Sequence, residues 1–196
     1  MEKLIKYFKR NSYATMKELR VSGFQTRDIR ALIEKGLIEK IKPGFYKLSE
    51  LDIENSGIID VCKSIPQGII CLISALEYYE LSTVNPWQIY VAIPHSERKV
   101  KINYPPVQFF YFRDRFYNPG IVKIQTKHGI IKIYNPEKTI CDIFRYRNKL
   151  GEDLALEGLK NYLKRKDADI AKLHEYAIKC KVKTVMLPYL KAMVIE

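Results

Sequence analysis

The stretch Thr15-Met16-Lys17-Glu18-Leu19-Arg20-Val21-Ser22-Gly23-Phe24-Gln25-Thr26-Arg27-Asp28-Ile29-Arg30-Ala31-Leu32-Ile33 decides the fold of the N-terminal quarter of the chain. Thr15 and Glu18 stand at capping-box spacing. The hydroxyl of one accepts from a first-turn amide, and the carboxylate of the other reaches back to the amide of Thr15. That predicts a short helix ending near Val21-Ser22, with Gly23 suited to the positive φ of a tight turn. Phe24 is expected to plug a small core, and Gln25 or Thr26 to cap the next helix. Ile29, Leu32 and Ile33 form the buried stripe of that helix, leaving Gln25, Thr26, Arg27 and Arg30 on its outer, N-terminal face.

Upstream, Leu4, Ile5 and Phe8 recur at helical spacing, with Lys3, Lys6 and Lys9 mostly off that face. Downstream, Leu37-Ile38-Glu39-Lys40-Ile41 and Phe45-Tyr46-Lys47-Leu48 flank Lys42-Pro43-Gly44 and read as a hairpin. Helix, helix, turn, helix and two-stranded wing make a winged helix-turn-helix over residues 1–48. Its dominant use is to put a helix into the major groove of duplex DNA. Gln25, Thr26, Arg27 and Arg30 are expected at the groove. Lys17, Arg20, Lys40, Lys42 and Lys47 are expected on phosphates or in the minor groove. Residues 1–48 hold twelve Lys/Arg against five Asp/Glu, so more than half of the net charge of +12 sits on a quarter of the chain.

A chain of 196 residues that is 47% apolar has enough material for real cores and is not globally disordered. It has no uninterrupted apolar run of membrane-spanning length, and Met1-Glu2-Lys3-Leu4 opens an amphipathic helix rather than a signal peptide. Cys62, Cys71, Cys141 and Cys180 are scattered and read as core thiols of a cytoplasmic protein, not as a disulfide framework or zinc site.

Residues 49–57 are polar and locally acidic, a joint between the first module and a second domain over 58–196. Helices are expected over 58–63 and 69–79, broken by Pro66-Gln67-Gly68. Strands are expected at 89–93, 108–112, 121–126 and 130–134, giving a mostly antiparallel sheet. Helices follow over 137–147, 152–164, 170–180 and 184–193, with Asn135 capping before Pro136. Strands followed by helices suggest an α+β class.

The second domain shows no catalytic constellation. His95, His128 and His174 lack metal-ligand spacing, no phosphate-binding glycine loop occurs, and the strands are poor in carboxylates. Glu77, Glu137 and Asp142 read as caps and surface pairs. The expectation is a protein that is not an enzyme and needs no cofactor or metal. Arg113 and Arg115, with Lys123, Lys127 and Lys132, suggest a second basic surface. It either extends the DNA footprint or docks an acidic partner.

Several segments together resemble the AbiEi-type antitoxins, the regulators of type IV (abortive infection) toxin–antitoxin systems. They are Tyr13-Ala14-Thr15-Met16-Lys17-Glu18-Leu19, Thr26-Arg27-Asp28-Ile29-Arg30, residues 36–46, Ile73-Ser74-Ala75-Leu76-Glu77, Tyr90-Val91-Ala92-Ile93-Pro94 and residues 134–142. Order and spacing carry the resemblance, which covers nearly the full chain. It implies a protein that represses its own operon through the winged helix. It also implies neutralisation, through the C-terminal domain, of a co-encoded nucleotidyltransferase-like toxin without a stable complex. A ligand-sensing winged-helix regulator with no toxin partner is the alternative.

Overall fold

The computed structural model describes residues 1–49, 56–98 and 102–194. Most of the expected joint, residues 50–55, lies outside them. The N-terminal part runs α1 (Glu2–Asn11), β1 (Tyr13–Thr15), α2 (Met16–Val21), α3 (Thr26–Glu34), β2 (Ile38–Lys42) and β3 (Phe45–Leu48). The capping box forms as its spacing predicts: Glu18 N donates to Thr15 Oγ1 at 3.2 Å and Thr15 N donates to Glu18 Oε2 at 2.7 Å. Gly23 takes a φ of +84° in the turn between α2 and α3. Gln25 holds the cap position of α3 without a side-chain capping bond.

The three strands pair antiparallel in the order β1-β3-β2, a sheet one strand larger than the expected hairpin. Successive side chains of a strand point to opposite faces, and here each face meets a different core. Ala14, Ile38 and Tyr46 pack with Leu4, Phe8, Leu19, Ile29 and Leu32. Tyr13, Ile41 and Phe45 pack instead with Ile58, Ile59, Val61, Val91 and Ile133 from the rest of the chain. The small sheet is therefore a wall between two cores.

The remainder runs α4 (Ser56–Ser64), β4 (Ile69–Ile70), α5 (Leu72–Tyr78), β5 (Ile89–Pro94), β6 (Val107–Phe112), α6 (Asp114–Tyr117), β7 (Ile121–Thr126), β8 (Gly129–Tyr134), α7 (Pro136–Leu150), α8 (Glu152–Leu163), α9 (Ile170–Lys179) and α10 (Lys183–Val194). The larger sheet has the order β6-β5-β4-β8-β7. Hairpin β7–β8 and pair β4–β5 are antiparallel, whereas β5–β6 and β4–β8 are parallel, so this sheet is mixed. The chain overall is α+β, with antiparallel pairing throughout the small sheet and a helical C-terminal region. Ile69 and Ile70, expected to begin a helix, form the central strand, and α5 starts at Leu72. A Cβ on Gly68 would stand 2.9 Å from Val91 Cγ1, so only a glycine lets β4 approach β5 this closely.

Helix α4 covers one face of the larger sheet with Ile58, Ile59 and Val61, and Ile65 just beyond it joins them. On the other face, α5 and α7–α9 pack through Leu76, Ile140, Phe144, Leu159 and Leu173. Asn135 caps α7 as expected, accepting from Lys138 N at 2.8 Å. Asp142 and Glu137 are buried rather than on the surface. Asp142 pairs with the fully buried Lys138, and Glu137 accepts from the Tyr162 hydroxyl at 3.0 Å and pairs with Lys172 at 3.0 Å.

The two parts of the chain are joined by an ion pair at the wall. Lys47 on β3 and Asp60 on α4 are 9% and 1% exposed, and Lys47 Nζ donates to Asp60 Oδ2 at 2.8 Å. Burial pulls the Lys47 ammonium down, but the hydrogen bond and charge of Asp60, with Glu39 beside it, leave it raised. Burial likewise raises Asp60 against the pull of Lys47. Removing one partner of such a pair leaves a buried uncompensated charge, which costs about 3–5 kcal/mol. Asp60→Ala should lower the unfolding free energy by about that much in urea titration, whereas Lys47→Met with Asp60→Leu should lose far less. Because Lys47 is raised, its stabilising contribution should be complete at neutral pH and vanish only as pH rises through that raised value.

Candidate nucleic-acid interface

Ile29 and Leu32 anchor α3 inward, and Leu19 does the same for α2. Helical periodicity then carries Lys17, Arg20, Gln25, Thr26, Arg27 and Arg30 outward, and all six are exposed. The capping box sets the start of α2, and the Gly23 turn leads into α3, so the six stand on the two helices and the turn that joins them. Arg27 is 81% exposed, and its Nε lies 3.7 Å from Asp28 Oδ1, a loose surface contact. Glu18 is held below its usual range by the Thr15 amide and hydroxyl, so this acid is engaged in the cap.

Beside the same turn, Lys3, Lys6 and Arg10 of α1 line an open cleft of about 560 Å³ with Tyr7, Asn11, Ser22 and Phe24. Sequence reasoning placed Lys3 and Lys6 off the apolar face but did not connect them to the turn. Their i, i+3 spacing and the helical step to Arg10 were the available signal.

The hairpin lysines divide. Lys40 is exposed. Lys42 is half-buried, and its Nζ donates to the Ser64 carbonyl at 2.7 Å. Lys47, expected on DNA, is instead the buried partner of Asp60, with Glu39 at 3.4 Å. A register shift between Lys40 and Lys42 breaks the strand alternation and turns Lys42 toward α4.

The residues of the second basic surface also separate. Arg113 and Arg115 follow β6 at one edge of the larger sheet, while Lys123 and Lys127 lie on and beyond β7 at the other. Lys132 donates to the Pro66 carbonyl at 2.6 Å. Next to Lys127, His128 Nδ1 lies 3.3 Å from Ser12 Oγ, so the β7–β8 turn rests against the N-terminal part.

Among the described residues, no group of three or more His, Cys, Asp or Glu is placed to hold a metal, and no helix is long and apolar enough to cross a membrane. Compared with known proteins, the chain matches no family model, and no curated protein matches it in sequence.

The capping box can be tested apart from any ligand. Thr15→Ala should cost about 1 kcal/mol of stability, read by chemical denaturation. A loss of only a few tenths would mean that tertiary packing, not the cap, sets the start of α2.

Proposed function

We propose that this chain is a duplex-DNA-binding regulator whose residues 1–48 work as a winged helix-turn-helix. The observation that carries the reading is the exposed set Lys17, Arg20, Gln25, Thr26, Arg27 and Arg30 around one interhelical turn. The helices that bear it are fixed from behind by Leu19, Ile29 and Leu32. A major groove admits one helix, with Arg and Gln side chains suited to base edges and Lys or Arg to phosphates. Lys40 adds a contact from the hairpin, and Lys3, Lys6 and Arg10 extend the basic surface along α1. Lys42 and Lys47 are not assigned to DNA, because both ammonium groups are already bonded within the protein.

The resemblance to the AbiEi-type antitoxins supports a cytoplasmic autorepressor. In this reading the part beyond residue 57 neutralises a co-encoded nucleotidyltransferase-like toxin without a stable complex. Both roles are binding roles, with no catalytic step and no cofactor.

Arg27→Ala with Arg30→Ala should weaken binding to the DNA upstream of its own reading frame by about tenfold to a thousandfold in a shift assay. Both side chains are exposed, so the melting temperature should barely move; unchanged affinity would remove α3 from the interface. Five exposed cations, Lys17, Arg20, Arg27, Arg30 and Lys40, imply that log affinity falls against log salt with a slope of about −4. A salt-insensitive affinity would contradict the charge argument. In co-expression with the adjacent gene product, the same double variant should lose repression yet still restore growth. Failure to protect, with the full chain also failing, would refute the antitoxin role and leave the DNA role standing.

A further inference from the structure

The two arginines left over from the second basic surface lie in a pocket unrelated to the N-terminal helices. A cavity of about 280 Å³ is lined by Tyr111, Phe112, Arg113, Arg115, Phe116, Arg145 and Tyr146. These residues come from the end of β6, from α6 and its cap, and from α7. Cations and rings alternate there. The Arg115 guanidinium lies 4.6 Å from the Phe116 ring, and that of Arg145 lies 4.2 Å from Phe116 and 4.4 Å from Phe112. Beneath them, Lys138 Nζ is 4.4 Å from the Tyr134 ring centroid.

One carboxylate serves this column. Asp142 pairs with Lys138 through Oδ2 and with Arg145 through Oδ1, where Nη2 stands at 3.1 Å. Arg145 in the floor of the pocket, and the fully buried Lys138 behind it, therefore share one buried anion. None of the Arg145 nitrogens is satisfied by a hydrogen bond of normal geometry. At the rim, Arg113 and Arg115 are exposed, with Asp114 between them the one acid in that run. Uncompensated positive charge at low dielectric strongly favours an anion. Around it stand the half-buried rings of Phe116 and Tyr146, whereas the Tyr111 ring alternates to the other face of β6 and meets His95. A planar apolar group fits there by stacking.

We propose that this pocket binds a free nucleotide. Its phosphate is held by Arg113 and Arg115 over the positive floor made by Arg145, and its base lies against Phe116 and Tyr146. The cavity has the size of one small ligand rather than of a strand of nucleic acid. The assignment does not rest on the DNA-binding reading, because no residue of α1, α2 or α3 takes part.

The test is calorimetric titration of the full chain with nucleoside 5′-monophosphates and diphosphates, with the parent nucleosides, and with inorganic phosphate. Nucleotides should bind saturably, and nucleosides and inorganic phosphate at least about tenfold more weakly. Arg113→Ala with Arg115→Ala should weaken nucleotide binding at least about tenfold without changing the melting temperature of the free protein. Phe116→Leu should weaken nucleotides but not phosphate. The proposal is overturned if no nucleotide binds, if the double arginine variant binds as well as the parent chain, or if phosphate alone binds as tightly as nucleotides. Displacement of the nucleotide by duplex DNA would also overturn it, by making the pocket part of the nucleic-acid interface.

Discussion

The pair between Lys47 and Asp60 is the constraint on which the arrangement of this chain depends. Lys47 sits on the central strand of the small sheet, and Asp60 projects from the helix that covers the larger one. Two buried charges demand each other, so β3 and α4 are fixed in one relation. Tyr13 and Glu39 stand opposite Lys47 on the neighbouring strands. The Tyr13 hydroxyl is driven far above its usual range by burial and by the charge of Asp60. The Lys63 ammonium over the Tyr13 ring, at 4.6 Å, adds a second tie between the two parts. The apolar residues around this point, from both ends of the chain, form one continuous core.

This join divides the basic residues into two populations. Lys42, Lys47, Lys132 and Lys138 spend their charge inside the protein, on a carbonyl or a carboxylate. Lys17, Arg20, Arg27, Arg30 and Lys40 are exposed. Lys17, Arg20, Arg27 and Arg30 stand on helices held from behind by the first core, and the wall behind that core is held by the second. These side chains reach outward from a rigid base.

Local signals were the legible ones. The Thr15–Glu18 box, the Gly23 turn, the inward stripe of Ile29 and Leu32 and the Asn135 cap all follow from residues within four positions of each other, and all are present. What sequence reasoning missed is non-local. Lys47 alternates with apolar residues as a wet-faced strand would, but the second core covers the face that alternation leaves polar. The register shift at Ile41 has no sequence signal of its own, yet it redirects Lys42. The strand of Ile69 and Ile70 merged into the following helix because the turn between them is made at Leu72, with a φ of +51°, and carries no glycine. Arg145 lay inside a helix read only for its extent, its Asn135 cap and its acids, some 30 residues from Arg113 and Arg115.

Helices α2 and α3 are tied by the join at Lys47 and Asp60 into the same cooperative unit as the larger sheet. Native-state hydrogen exchange of the full chain in increasing denaturant tests it most directly. The account predicts that the slowest amides of α2 and α3 and those of β5 and β8 exchange through one opening, with the same free energy and the same denaturant dependence. If the amides of α2 and α3 instead open at a distinctly lower free energy while β5 and β8 stay protected, the N-terminal helices form an independent unit. The join at Lys47 and Asp60 would then not be what holds the structure together.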